Sequence, residues 1–167
     1  MKIVITKGRG SDAIAITRAD GTRADTTLSQ KGPVPHDAVH WFVERAFALD
    51  HGFWGMVAAG HHPEDLLELA KAAGHASAAR FTVPDAAIVE LLQAERLVEC
   101  FEADQWSGCR GAVEDFLAMA KVACESSHVP LPQLDAQQVA AVRAQIVAFA
   151  AEWVPAPVGH SASFGWE

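Results

Sequence analysis

The sequence is poor in cysteine and has no long hydrophobic run. Its three cysteines, Cys100, Cys109 and Cys124, are odd in number, and none stands in a C-x-x-C pair that would indicate a zinc knuckle or a redox site. No apolar segment approaches the ~18 residues that cross a bilayer. Lys2 and Lys7 leave too short an apolar stretch between them for the core of a secretory signal. We therefore expect a soluble cytoplasmic protein with reduced thiols and no membrane association.

Positive charge is scarce as well. The formal net charge is −8, which argues against nucleic acid as the main partner because phosphate backbones are bound by basic surfaces. The basic residues are concentrated at the start of the chain: residues 1–31 have a net charge of +3, and the remaining residues have −11. We interpret this asymmetry as lysine and arginine protecting exposed strand edges from pairing with other chains. A basic docking face on an acidic body is the alternative.

Apolar residues are abundant enough for one folded domain. Half of the 167 residues are hydrophobic and a fifth are charged, which is typical of a globular domain with a buried core. Residues 2–7 and 11–18 alternate between apolar and polar side chains, and a more polar strand is predicted near 22–28. Asp20-Gly21 is typical of a two-residue hairpin turn. Residues 1–31 are therefore predicted to form a three-stranded antiparallel β-meander.

The segment 36–154 is predicted to be helical, because its apolar residues recur at intervals of three and four. Prolines, glycines and capping residues divide it into five helices, at about 36–49, 63–73, 84–105, 112–126 and 135–154. A three-stranded sheet needs such a layer to cover one face. The prediction is an α+β fold with a single domain over residues 1–154. The C-terminal tail, 155–167, is expected to be loose unless Phe164 and Trp166 dock.

One motif indicates chemistry: His36-Asp37-Ala38-Val39-His40. It resembles the H-E-x-x-H helix of zincins, in which two histidines one turn apart bind a metal and the acid between them activates water. Asp37 replaces that glutamate and is the predicted catalytic residue. Its shorter side chain would hold the carboxylate roughly 1 Å further from the water. The alternative is an ordinary helix start, in which the acid interacts with the helix dipole.

Two histidines need a third ligand from another element. Glu95, Glu99 and Glu102 follow one another at one-turn intervals on the predicted long helix, and His62 lies on a loop; Glu95, Glu99 and His62 are the candidates, in that order. Glu44 continues the row of the two histidines, but it lies ~12 Å along the helix axis from the first and cannot share its metal. A set of two histidines and one carboxylate suits zinc, iron or manganese. The alternative is that the glutamates face water and no metal binds.

An aromatic pair between glycines is the other candidate binding feature. Phe53 and Trp54 are flanked by Gly52 and Gly55. Glycines let a loop move and aromatic rings provide contact area, so the pair is a candidate lid or ligand platform. The alternative is a tight connection that buries Trp54 in the core.

Two functions from different classes are consistent with these features. The leading hypothesis is a binding or assembly protein without catalysis, a homodimer that uses the meander edge, Trp54 and the aromatic residues of the tail. It is supported by the five tryptophans, since tryptophan is enriched at interfaces. The alternative hypothesis is a metal-dependent, hydrolase-like enzyme that uses His36 and His40.

Overall fold

The fold is built on an antiparallel sheet that joins the two ends of the chain. A computed structural model describes the backbone of residues 1–80 and 84–167 and the side chains of residues 1–73 and 84–167. Within these residues the strands are β1 (Lys2–Thr6), β2 (Ser11–Thr17), β3 (Arg23–Ser29) and β4 (Ser161–Gly165), in the spatial order β3-β2-β1-β4. All neighbouring strands are antiparallel. The predicted meander is present, and the other end of the chain adds a fourth strand to it.

The alternation of side chains determines which face of the sheet is buried. Ile3 and Ile5 of β1 lie opposite Ile16 and Ile14 of β2, and all four are buried. Because successive side chains of a strand point to opposite faces, these isoleucines form one apolar face. That face belongs to the same core as the buried residues of the helices.

The C-terminal residues complete the sheet. β4 pairs with β1 along its length and places Phe164 opposite Ile3. Trp166 donates its backbone N–H to the carbonyl oxygen of Met1 at 2.8 Å. Phe164 and Trp166 are both buried. The predicted tail therefore docks through these two aromatic residues and through the hydrogen bonds that the edge of β1 offers.

The helices form the rest of the fold. Within the described residues they are α1 (His36–Phe47), α2 (Phe53–Ala58), α3 (Pro63–Arg80), α4 (Val89–Trp106), α5 (Val113–Ser126) and α6 (Ala136–Trp153). The α+β prediction is confirmed, and α2 is the additional helix. α3 continues through Gly74, where the sequence predicted its end. α4 begins later than predicted, because Asp85 caps a 3-10 turn, Ala86–Ile88, that precedes it.

α1 is central to the helical layer. It packs against α2, α4 and α6, and both histidines of the H-D-x-x-H motif are among its buried residues. Its packing against α4 brings this motif close to the glutamates of that helix. α6 starts at the expected capping box, in which Asp135 and Gln138 bond to each other's backbone N–H groups. No helix among the described residues is long and apolar enough to span a membrane.

Lys7 links the sheet to the end of α6. Its Nζ donates to the carbonyl oxygens of Trp153, Val154 and Ala156 at 2.8, 3.0 and 2.9 Å. The last carbonyls of a helix have no partner within the helix, so the ammonium satisfies carbonyls at this end and also opposes the negative end of the helix dipole. Lys7 thereby connects the first hairpin to the chain that leads into β4.

Candidate metal centre

The two histidines of α1 approach each other across one helical turn. His36 is 8 % exposed and His40 is 1 % exposed. Their Nε2 atoms lie 3.2 Å apart, and their rings meet edge to face with centroids 4.8 Å apart. Residues at i and i+4 lie on the same face of a helix. The spacing in the sequence therefore brings two imidazole nitrogens to one place in the interior.

Glu95 of α4 completes a triangle of ligand atoms. Its Oε2 lies 3.6 Å from Nε2 of His36, and its Oε1 lies 3.6 Å from Nε2 of His40. A tetrahedral metal that holds nitrogen and oxygen at about 2.0–2.2 Å separates its ligand atoms by ~3.3–3.6 Å. The nearest distances in the cluster, 3.2, 3.6 and 3.6 Å, are close to that range, although the two distances to Glu95 involve different oxygens. With one ligand atom taken from each residue, the three atoms lie within 4.8 Å of one another, so the three side chains must move closer together to bind one ion.

A carboxylate holds the other nitrogen of each ring. Glu102 Oε1 lies 2.9 Å from Nδ1 of His36, and Glu44 Oε1 lies 2.9 Å from Nδ1 of His40. Because an ionised carboxylate only accepts hydrogen bonds, each Nδ1–H donates. In a neutral ring this leaves Nε2 as the lone-pair nitrogen that a metal requires. Carboxylates orient metal-binding histidines in the same way in known metal sites.

The start of α2 buries and holds Glu44. This carboxylate is 1 % exposed, and its Oε2 accepts the backbone N–H of Trp54 at 2.9 Å. Gly52 permits the close approach, since a Cβ at that position would lie 2.6 Å from Cδ of Glu44. A buried carboxylate is costly unless donors surround it. α2 supplies such a donor, and Glu44 in turn fixes the ring of His40.

The aromatic pair of α2 packs beside the histidines. Phe53 and Trp54 are both buried. The indole Nε1–H of Trp54 donates to the main-chain carbonyl of Asp37 at 2.9 Å, and the ring of Phe53 lies 5.6 Å from that of His40. The pair therefore forms part of the core next to the candidate centre. A role as a lid or ligand platform stays a prediction.

The carboxylates around His36 and His40 stabilise positive charge on the two rings. Burial opposes a positive charge on His40, but the carboxylates of Glu95 and Glu44 outweigh it and raise the pKa of His40 to about 10. Burial also opposes a charge on His36, and hydrogen bonds to Glu102 and Glu95 raise its pKa above the ordinary value. A metal ion must displace protons from these rings. Metal binding is therefore linked to proton release.

A pocket of about 370 Å³ opens beside Glu95, between α3, α4 and the segment that follows β3. The described residues of its wall include Glu95, Arg96 and Glu99 of α4, Lys71 of α3, and Lys31. Small-molecule sites commonly have volumes of about 300–1,000 Å³. Glu95 belongs both to the candidate ligand set and to the pocket wall, and it is the one member of that set among the described wall residues, so a molecule in this pocket would lie against Glu95.

The structure brings together three of the five residues that the sequence proposed as ligands. Ligand atoms of His36, His40 and Glu95 all lie within 4.8 Å of one another. Glu99 is instead 49 % exposed and pairs with Nη1 of Arg96 at 2.9 Å. His62 is exposed on the turn before α3, where its Nδ1 lies 3.4 Å from a backbone N–H of the same turn. Neither of these two residues belongs to the triangle.

Three acidic residues lie around the triangle without being part of it. Asp37, the predicted catalytic residue, is buried on α1, and burial raises its pKa. The supporting roles of Glu44 and Glu102 were not predicted. The position of Glu44, one turn after His40, was a usable signal for contact with that ring. Glu102 was noted only as a member of the glutamate row on the predicted long helix, because its contact with His36 depends on how α4 is rotated against α1.

No family model, curated protein or solved structure among those compared matches the chain. The fold and the geometry of the candidate centre are therefore the basis on which a function can be proposed.

Proposed function

We propose that the protein is a metal-dependent enzyme of the hydrolase type, in which His36, His40 and Glu95 bind one divalent ion. The observation that carries the proposal is the cluster of His36, His40 and Glu95, in which one ligand atom from each residue lies within 4.8 Å of the other two. Each imidazole is also oriented by a carboxylate of its own. Carboxylates that hold the far nitrogen of each ring are typical of metal-binding histidines, and this supports the proposal.

The number of ligands among the residues that the structure describes, three, favours catalysis over a structural role. Structural zinc sites are closed by four protein ligands, whereas catalytic sites use three and keep one position for water or substrate. Such an ion supplies Lewis-acid polarisation to the group that occupies the open position. The pocket beside Glu95 provides room for that group.

Hydrolysis also needs a group that accepts a proton from water. Asp37 is the candidate that the sequence offers, but it is not among the described residues of the pocket wall. Glu99 lines this wall one turn after Glu95 and is half exposed. We therefore propose that a carboxylate oxygen of Glu99 accepts the proton of the attacking water. Asp37 is the alternative acceptor. Glu99→Gln should lower kcat more than Asp37→Asn, and the reverse order would favour Asp37.

The ligand set leaves the identity of the metal to experiment. Two histidines and one carboxylate suit catalytic zinc, and the same set is used by iron and manganese sites with open positions. Elemental analysis of the purified protein tests both the presence and the type of metal. We expect one equivalent per chain in the wild type and in His62→Gln, and none in His40→Ala. Retention of the metal by His40→Ala would contradict the proposal.

A second candidate is the binding protein without catalysis, predicted from sequence as a cytoplasmic homodimer. Phe164 and Trp166, two of the residues on which that prediction relied, are buried within their own chain. Trp106 gives it separate support, because this large apolar side chain is 72 % exposed and tryptophan is enriched at interfaces. Sedimentation at micromolar concentration tests it: a 17.8 kDa species would contradict the dimer.

A further inference from the structure

The pocket beside Glu95 is basic although the chain is acidic. Among the described residues of its wall, Lys31, Lys71 and Arg96 are basic, and Glu95 and Glu99 are acidic. The whole chain has a net charge of −8. A divalent ion bound to Glu95 would make the pocket still more positive. Field from clustered charges of one sign attracts ligands of the opposite sign.

Arg96 has a donor with no acceptor in the part of the chain that the structure describes. Its Nη1 pairs with Glu99, but its Nε is buried and has no hydrogen-bond partner among the described residues. A buried donor without a partner costs about 1–3 kcal/mol. A guanidinium can bind a carboxylate or a phosphate through two parallel hydrogen bonds. The unpaired Nε–H of Arg96 is therefore unfavourable without an acceptor. An anionic group bound at Arg96 would supply that acceptor and remove the cost.

We infer that the pocket binds a small substrate with an anionic oxygen group, a carboxylate or a phosphate, which Arg96 and Lys31 hold beside the metal ligands. This inference rests on the proposed function, because the open metal position and the pocket share Glu95. The volume of about 370 Å³ fits a small molecule. The anionic group is bound by the basic residues, and the remainder of the molecule lies toward Glu95.

Calorimetric titration of the zinc-loaded protein tests the inference, with sodium sulfate representing a phosphate and sodium malonate representing a carboxylate. We expect saturable binding of at least one of them, weakened about tenfold or more in Arg96→Met because two charge-assisted hydrogen bonds are lost. The anion that binds more tightly identifies the group. Lys121→Met is the matched control, since Lys121 is exposed on α5 and pairs with Glu125. Its affinity should stay within about twofold of the wild type, as expected for a distant exposed charge.

Failure of this inference can be distinguished from failure of the proposed function. Zinc binding without binding of either anion would refute the anionic substrate and leave the metal centre in place. Equal affinity in Arg96→Met and Lys121→Met would also refute it. Absence of zinc binding would refute the proposed function, and the same titrations on the metal-free protein would then test Arg96 alone. If Arg96→Met fails to fold, Lys31→Met serves as the second variant because Lys31 is exposed, and it too should bind the anion more weakly.

Discussion

Gly52 gives the sharpest test of how α2 supports the candidate centre. In Gly52→Ala the new Cβ would lie 2.6 Å from Cδ and 2.7 Å from Oε2 of Glu44. The backbone of Gly52, with φ −70° and ψ −170°, is one that alanine adopts readily. The contact with Glu44 is therefore the main cost. A flexible exposed carboxylate could move away, but Glu44 is buried and bonded through both oxygens, to His40 and to the backbone of Trp54.

The size of the effect follows from the bonds that must break. Loss of one hydrogen bond to a charged group costs about 1.5–3 kcal/mol, and replacement of glycine by alanine returns about 0.4–1 kcal/mol through the unfolded state. The difference is a net destabilisation of about 0.5–2.6 kcal/mol, and more if both bonds are lost. Misorientation of His40 should also weaken zinc binding by about 10–100-fold.

Urea unfolding and zinc titration measure the two effects. Gly165→Ala is the matched control, because a Cβ at Gly165 would have no heavy atom within 4 Å. This control should have a free energy of unfolding and a zinc affinity close to those of the wild type. If Gly52→Ala were as stable as Gly165→Ala and bound zinc equally well, the proposed support of His40 by Glu44 and α2 would be wrong.

Three other predictions concern the metal and the joined ends of the chain. Zinc at a hundred times its Kd should stabilise the protein by about 2.7 kcal/mol and raise Tm by about 5–11 °C. Differential scanning fluorimetry should show this rise in Tm in His62→Gln but not in His40→Ala. Lys7→Met removes the donor to three carbonyls at the end of α6 and should cost about 1.5–3 kcal/mol in urea unfolding, while Lys2→Met, at an exposed position, should cost less than about 0.5 kcal/mol. Deletion of residues 159–167 exposes the edge of β1 and should lower Tm and promote aggregation in light scattering; an unchanged Tm would contradict the role assigned to β4.

Most of the fold could be predicted because its signals are local. Alternation of apolar residues predicted β1 and β2, and intervals of three and four predicted the long helices. α2 was missed because its six residues, Phe53–Ala58, are too few to show a helical period and include Gly55. β4 was missed because its sequence, Ser-Ala-Ser-Phe-Gly, has little strand propensity of its own. It forms by pairing with β1, a contact between the two ends of the chain.

The site could be predicted only in part for a related reason. The i, i+4 spacing of His36 and His40 is a property of one helix, so it could be read directly from the sequence. Whether Glu95 or Glu99 faces the histidines depends on the rotation of α4 against α1. The apolar pattern of α4 constrains this rotation only loosely, because the glutamates of α4 lie at the border of its buried stripe. The pocket depends on α3, α4 and Lys31 together, and no single segment of the sequence indicates it.

The most direct test of the metal centre is an anomalous difference map from crystals of the zinc-loaded protein, measured on both sides of the zinc absorption edge. We predict one peak per chain, at about 2.0–2.2 Å from Nε2 of His36, Nε2 of His40 and a carboxylate oxygen of Glu95. Glu44 and Glu102 should remain bonded to the two Nδ1 atoms. A fully loaded crystal with no peak between these three side chains, or with zinc bound only elsewhere, would contradict the proposed centre.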